Sequence, residues 1–137
     1  MKLTVVLDSN EYINYLNKND LSLQKIFTNE DLSVYLNDFI IREVLRNLIE
    51  AQKKEFYNLI FQENVIFHGQ KLPFYLFEKY KKLGLKKGDI EIAAFCEALK
   101  VDYLITKNRH FLKSTKLDMF EILSINDFLT KIFIKIK

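Results

Sequence analysis

Three carboxylates and one carboxamide stand where this 137-residue chain passes between apolar runs: Asp8, Glu43, Asp89 and Asn108. Asp8 ends the run Leu3 to Leu7. Glu43 lies in the first turns of a helical pattern that opens at Asn37 or Asp38. Asp89 follows Gly88 and heads an apolar segment, and Asn108 comes just after a strand pattern that stops at Thr106. Singly, each residue has an ordinary explanation. Asp8, Ser9 and Asn10 are all good helix caps. A solvent-facing Glu near a helix N-terminus is favoured by the dipole, and on a helical wheel Glu43 falls opposite the apolar stripe. Asp89 can cap its own helix, although no Glu or Gln follows three residues on to complete a capping box. An Asn is at home in a turn.

Together the four allow a definite chemistry. Carboxylates crowded into one site repel each other and take up protons unless a cation neutralises them. Oxygen donors select a hard ion, Mg²⁺ or Mn²⁺. Zinc is disfavoured because the chain offers only His68, His110 and Cys96 as softer ligands. Such a site suits phosphodiester hydrolysis, in which the ion acidifies a water and stabilises charge on phosphate oxygens. Basic residues accompany the acids. Arg42 and Arg46 flank Glu43, Lys86 and Lys87 precede Asp89, and Lys107, Arg109, His110, Lys113 and Lys116 follow Thr106 with no acid among them. A solvated lysine-rich surface accounts for Lys79, Lys81 and Lys82; the groups beside the carboxylates fit phosphate attraction.

The elements that must position these residues alternate. Leu3 to Leu7 is continuous, apolar and rich in β-branched residues, the pattern of a strand buried on both faces. A helix is predicted from about Glu11 to Asn17 and a short one from Leu21 to Phe27. A second strand covers Leu32 to Leu36. One long helix is expected from Asn37 or Asp38 to about Phe61, with Ile41, Val44, Leu45, Leu48, Phe56 and Leu59 at helical spacing. Asn64 to His68 reads as a third, short strand. Pro73 opens a helix that stops near Gly84. A helix from Asp89, a strand from Asp102 to Thr106, a turn of helix over Asn108 to Leu112, a strand from Met119 to Leu123 and a terminal helix from Ser124 complete the chain. Alternation of this kind predicts an α/β domain of three layers, α/β/α, around a central, mostly parallel sheet. Sheets of this class bind ligands beyond the carboxyl ends of their strands, at a switch in strand order.

The bulk properties agree. A length of 137 residues fits one domain spanning 1–137, and a hydrophobic fraction of 49% supports a core. Three Gly and one Pro imply few long loops. A net charge of +3 says little about partners by itself. One Cys excludes an internal disulfide framework, as expected of a reducing compartment, and no run suits a signal peptide or a membrane span. A cytoplasmic location is expected.

At these motifs the sequence resembles the PIN domain, the fold of VapC-like toxin ribonucleases and of several other nucleases. The resemblance runs through "VVLDSNEYINYL", "REVLRNL", "GDIEIAAFCEALKVDYLITKNRHF" and "EILSINDFL". The third stretch is the most specific: an Asp with Ile-Ala-Ala after it, then a strand ending in Thr, a basic residue and Asn or Asp, then an aromatic. The resemblance implies an acidic quartet at Asp8, Glu43, Asp89 and Asn108, with Asn108 where Asp is common, and assisting positions at Asn10 and Thr106. It implies metal binding by Asp8, Glu43 and Asp89, Mg²⁺ or Mn²⁺ as cofactor, and RNA hydrolysis. Arg42, Arg46, Lys107 and Arg109 are expected to meet RNA. It also implies a homodimer and, for a toxin, an antitoxin protein as partner. Against this endoribonuclease stands a non-catalytic PIN-like module that binds RNA or a protein, favoured by Asn108. A phospho-accepting receiver domain ranks lower, since it expects two adjacent acids after the first strand and Lys-Pro after the last.

Overall fold

The run Leu3 to Leu7 becomes the central strand. In the computed structural model, which describes residues 2–18, 22–108, 111 and 119–136, with Lys18 and 133–136 given by backbone alone, strands and helices alternate as the pattern predicts. The elements are β1 (Leu3–Leu7), α1 (Ser9–Lys18), α2 (Ser22–Phe27), β2 (Leu32–Leu36), α3 (Asp38–Arg46), α4 (Glu50–Ile60), β3 (Val65–Phe67), α5 (Phe74–Lys82), α6 (Lys87–Ala98), β4 (Tyr103–Ile105), β5 (Glu121–Leu123) and α7 (Ile125–Ile136). The expected turn of helix after Asn108 lies almost wholly outside the described residues.

The five strands form one sheet in the order β3-β2-β1-β4-β5. Every pairing is parallel. Helices flank the sheet, which fits the continuous apolar character of β1, β2 and β4: Val5, Val6, Leu7, Val34, Leu104 and Ile105 have no exposed surface. α1 packs on α3 and α4, α5 on α6, and α2 on α7.

Strand order reverses between β1 and β4. From β1 the chain proceeds outward to β2 and β3, then returns to lay β4 on the other side of β1. The two central strands run in register with Leu7 opposite Ile105, so the residues that end them, Asp8 and Thr106, emerge side by side. The ladder continues past the strands, with the Asp8 N–H donating to the Ile105 carbonyl and the Thr106 N–H to the Leu123 carbonyl, both at 3.0 Å. At the opposite edge, Asp102 Oδ2 accepts from the Thr4 N–H at 2.8 Å and from its hydroxyl at 3.1 Å. The Asp102 N–H donates back to Thr4 Oγ1. The pair at the switch is thus tied at both ends.

Two expectations change. The helix carrying Asp89 starts at Lys87, with Lys86 at the N-cap position, so Asp89 is the third helical residue and not the cap. The long helix expected from Asp38 to Phe61 is two helices, broken at Asn47 to Ile49. No Gly or Pro marks this break; local side-chain bonds and one long-range bond accompany it. The Asn47 Nδ2 donates to the Glu43 carbonyl at 2.9 Å. Ile49 takes an extended conformation, and the Gln52 Oε1 accepts its N–H at 3.1 Å. The Gln52 amide also donates to the Asn17 side chain at the end of α1. One glutamine therefore starts α4 and fastens it to α1. Replacing Gln52 with Ala is expected to lower stability by about 1 kcal/mol, which is about 4 °C in Tm for a chain of this size. A thermal melt beside wild type checks this; an unchanged midpoint would mean that the break is set elsewhere.

Candidate active site

Beyond the carboxyl ends of β1 and β4 lies a cavity of about 530 Å³, lined by Asp8, Asn10, Glu43, Arg46, Asp89 and Asn108 together with Asn47, Gly88 and two isoleucines. Four segments far apart in sequence bring these residues together. Asp8 arrives from the end of β1, Glu43 from the second turn of α3, Asp89 from the first turn of α6 and Asn108 from the segment after β4. α3 is held at its start by Asn37, whose side chain accepts the Ile40 N–H at 2.9 Å. At the wall between α3 and α6, Gly88 stands beside Glu43: a Cβ there would meet Glu43 Oε2 at 3.4 Å.

A line of hydrogen bonds runs across this floor. The Thr106 hydroxyl donates to Asp8 Oδ2 at 2.8 Å. The same hydroxyl oxygen accepts the Asn108 N–H at 2.9 Å. The Asn108 Nδ2 then donates to both Asp89 oxygens, at 3.1 and 3.2 Å. Thr106 is fully buried and Asp8 is 5% exposed, so this bond lies in protein rather than in water. Asn108 thus turns its amide nitrogen toward Asp89.

Burial pushes the Asp8 carboxyl above the usual carboxylate range. The Thr106 hydroxyl opposes this, the charge of Asp89 adds to it, the Ser9 backbone N–H opposes it, and the charge of Glu43 adds to it. These are the effects expected when a carboxylate is drawn out of water toward like charges. Among the described residues, no group of three or more His, Cys, Asp or Glu side chains is gathered as a ready metal site. Asp8, Glu43 and Asp89 nevertheless line one cavity and offer oxygen alone, the donor set that a hard divalent cation takes.

The basic residues divide. Arg46 lines the cavity. Arg42 is drawn aside into an ion pair with Asp38, 2.8 Å apart, with both side chains 67% exposed. Lys107 is exposed beside Thr106 and Asn108. Arg109, His110, Lys113 and Lys116 lie outside the described residues. Glu43 is half-buried rather than solvent-facing, because α3 ends before the wheel that placed it outward could continue into α4. Asn47 is a lining residue that pattern reading passed over; its place one helical turn beyond Glu43 was the available signal. Cys96 is fully buried, and burial pushes its thiol well above the ordinary range, as for an inert core residue. Among the described residues, no helix is long and apolar enough to cross a membrane.

No protein-family profile matches the sequence, and no curated protein matches it either. Solved structures do. The chain is similar to VapBC2 from Rickettsia felis bound to a DNA fragment from their promoter: TM-score 0.62 at 15% identity, over 88% of this chain and 97% of that one. It is similar to the RRP44 PIN domain of T. brucei, with a TM-score of 0.58 at 10% identity, over 98% of this chain and 83% of that one. At these identities the likeness is one of fold: the chain has a PIN-like fold.

The position of Asp8 makes a prediction about stability. A folded-state pKa raised above the ordinary 3.8 means that the fold binds this proton more tightly than the unfolded chain does. Stability from this group is therefore fully present below 3.8 and is lost as pH rises through the folded value. Asp8→Asn keeps an acceptor for Thr106 and removes the charge. In chelator it should melt above wild type at pH 7, and this gain should shrink to nothing as pH falls toward 3.5. A variant that melts lower at pH 7 would show that the carboxylate is stabilised in place rather than strained.

Proposed function

We propose that this chain is a metal-dependent endoribonuclease, with Asp8, Glu43 and Asp89 as its metal-binding and catalytic carboxylates. The observation that carries the reading is the convergence of these three residues on one cavity at the strand-order switch. Strand ends at such a switch are where α/β sheets build their sites. The site's chemistry supports the same reading: the donors are all oxygen, and the most buried of them must ionise against the charges of the other two. The PIN-like fold, shared with an RRP44 PIN domain, agrees with nuclease activity.

In this reading, Mg²⁺ or Mn²⁺ held by Asp8, Glu43 and Asp89 supplies positive charge for the phosphate and makes a nearby water more acidic. The rest is done by the chain. Thr106 fixes the Asp8 carboxylate through its hydroxyl, and Asn108 fixes both oxygens of Asp89. These three bonds hold the carboxylates before substrate arrives, so they need not reorganise during reaction. A carboxylate oxygen of the site would take the proton of the attacking water as its oxygen bonds phosphorus; the P–O bond to the leaving ribose oxygen breaks, that oxygen takes a proton from solvent, and Asn10 assists from the start of α1. Arg46 at the cavity, with Lys107 and Arg109, holds the RNA backbone through phosphate contacts, which position a strand without reading its sequence. Arg42 contributes once its pairing to Asp38, a surface pair of small worth, is exchanged for phosphate.

A second reading, a PIN-like module that binds RNA or a protein without cutting, has one observation in its favour. Asn108 brings amide hydrogens, not a fourth negative charge, to Asp89. We further propose that the protein works as the toxin of a toxin–antitoxin pair, as a homodimer held by an antitoxin. The VapBC2 likeness supports this. The exposed apolar side chains Phe61, Ile66 and Phe67, at 80%, 42% and 55% exposure, offer surface for a protein partner.

RNA cleavage with Mg²⁺, with Mn²⁺ and with chelator tests the enzyme reading. Wild type should cut only with metal. Asp8→Asn and Glu43→Gln should each reduce cutting by about 100-fold or more while circular dichroism stays that of wild type. Full cutting in chelator, or by folded Asp8→Asn, would sink the assignment; RNA binding without cutting under any condition would favour the second reading.

A further inference from the structure

A second cavity, of about 460 Å³, opens beyond the carboxyl ends of β2 and β3 and shares no lining residue with the first. Its size is that of a small-ligand pocket. Phe39, Phe74 and Phe77 bring aromatic rings to it, and His68 brings a fourth. Phe39 and Phe77 are half-buried, so packing holds their rings in place. The His68 ring lies against Tyr35 with centroids 4.3 Å apart. Burial pushes its imidazole below the ordinary range, so at pH 7 it is a neutral ring that does not repel a cation.

The charges at this cavity are unequal. Asp38 and Glu91 line it against one base, Lys71, in a chain whose net charge is +3. Glu91 is half-buried, and its side chain makes no hydrogen bond or ion pair among the described residues. Burial pushes its carboxyl upward, and the charge of Arg42 opposes this. Arg42, however, is paired with Asp38 at 2.8 Å. A carboxylate drawn partly out of water beside aromatic rings is short of a positive partner. A bare metal ion does not supply it: among the described residues, no three His, Cys, Asp or Glu side chains are gathered to hold one. Aromatic faces attract an organic cation. A guanidinium suits both kinds of wall, because it is planar, weakly hydrated, stacks on rings and forks its N–H groups onto a carboxylate.

We infer that this cavity binds a guanidinium group, its face against the phenylalanine rings and its N–H groups donating to Glu91. The site does not rest on the nuclease reading, since none of its residues belongs to the first cavity. A free small molecule and an arginine of a partner chain both carry this head group.

The test follows amide chemical shifts with Mg²⁺ present as butylguanidinium, its neutral counterpart butylurea, or a capped Gly-Arg-Gly peptide is added. Butylguanidinium should bind saturably, with a Kd of about 1 mM or tighter, and should move the amides of Phe39, Gly69 and Glu91. Butylurea should bind about tenfold more weakly or worse. Glu91→Gln keeps the side chain's shape and removes its charge. It should weaken butylguanidinium about tenfold while the remaining amide shifts stay those of wild type. Asp89→Asn, in the first cavity, should leave the affinity within about twofold. The peptide separates the sources: binding as tight as that of butylguanidinium assigns the head group to a partner chain, and exclusion assigns it to a free small molecule. The site is wrong if butylguanidinium does not saturate, if butylurea matches it, or if Asp89→Asn rather than Glu91→Gln abolishes binding.

Discussion

The site depends on the pairing of β1 with β4. Only because Leu7 faces Ile105 do Asp8 and Thr106 leave the sheet side by side, and only then can the threonine hydroxyl donate to the carboxylate behind it. A slip of one residue would turn every side chain of a strand to the other face. It would bury a charge with no donor, at a cost far above that of an ordinary mispairing. The register is held at the far edge as well, where Asp102 takes both the N–H and the hydroxyl of Thr4. The central strand thus carries a polar bond at each end and hydrocarbon between. This is how a hydrophobic sheet can hold one carboxylate in a fixed place.

The other polar groups follow from that placement. Asp8 is nearly removed from water and stands among like charges, which favours either a proton or a cation at the site. The protein meets part of the cost with neutral donors, the Thr106 hydroxyl and the Asn108 amide, which order the carboxylates without cancelling their charge. In the proposed nuclease, this arrangement leaves the carboxylates able to take a positive ion from solution. A lysine in the same position would satisfy the carboxylates permanently and close the site.

Much of this is legible in the sequence, and the reasons differ by element. β1 and β2 are plain because a strand buried on both faces is apolar throughout, and the expected limits Leu3 to Leu7 and Leu32 to Leu36 match the observed strands. The convergence of Asp8, Asp89 and Asn108 is legible because they stand at strand ends and a helix start, where chain topology rather than helical phase decides position. Glu43 is not legible from pattern. Its wheel assumes a helix running to Phe61, and the chain breaks at Asn47 with no Gly or Pro to mark it. The exact place of Asp89 is hidden for a related reason: Lys86 and Lys87 look like loop, yet they begin α6. The separation of Arg42 from Arg46 is also hidden, since Asp38 competes for one of them and not the other.

The break between α3 and α4 has a consequence for how this molecule can change. A continuous helix would act as a lever, so that any altered length or tilt near Phe61 would swing Glu43 in proportion. With Ile49 extended and Gln52 anchored to the end of α1, a tilt of α4 is not carried to α3 along one rigid helix axis. The outer part of α4, with its exposed Tyr57 and the Phe61 beyond it, is free to be remodelled in shape and chemistry for new neighbours. The carboxylate eighteen residues upstream of Phe61 keeps its aim throughout.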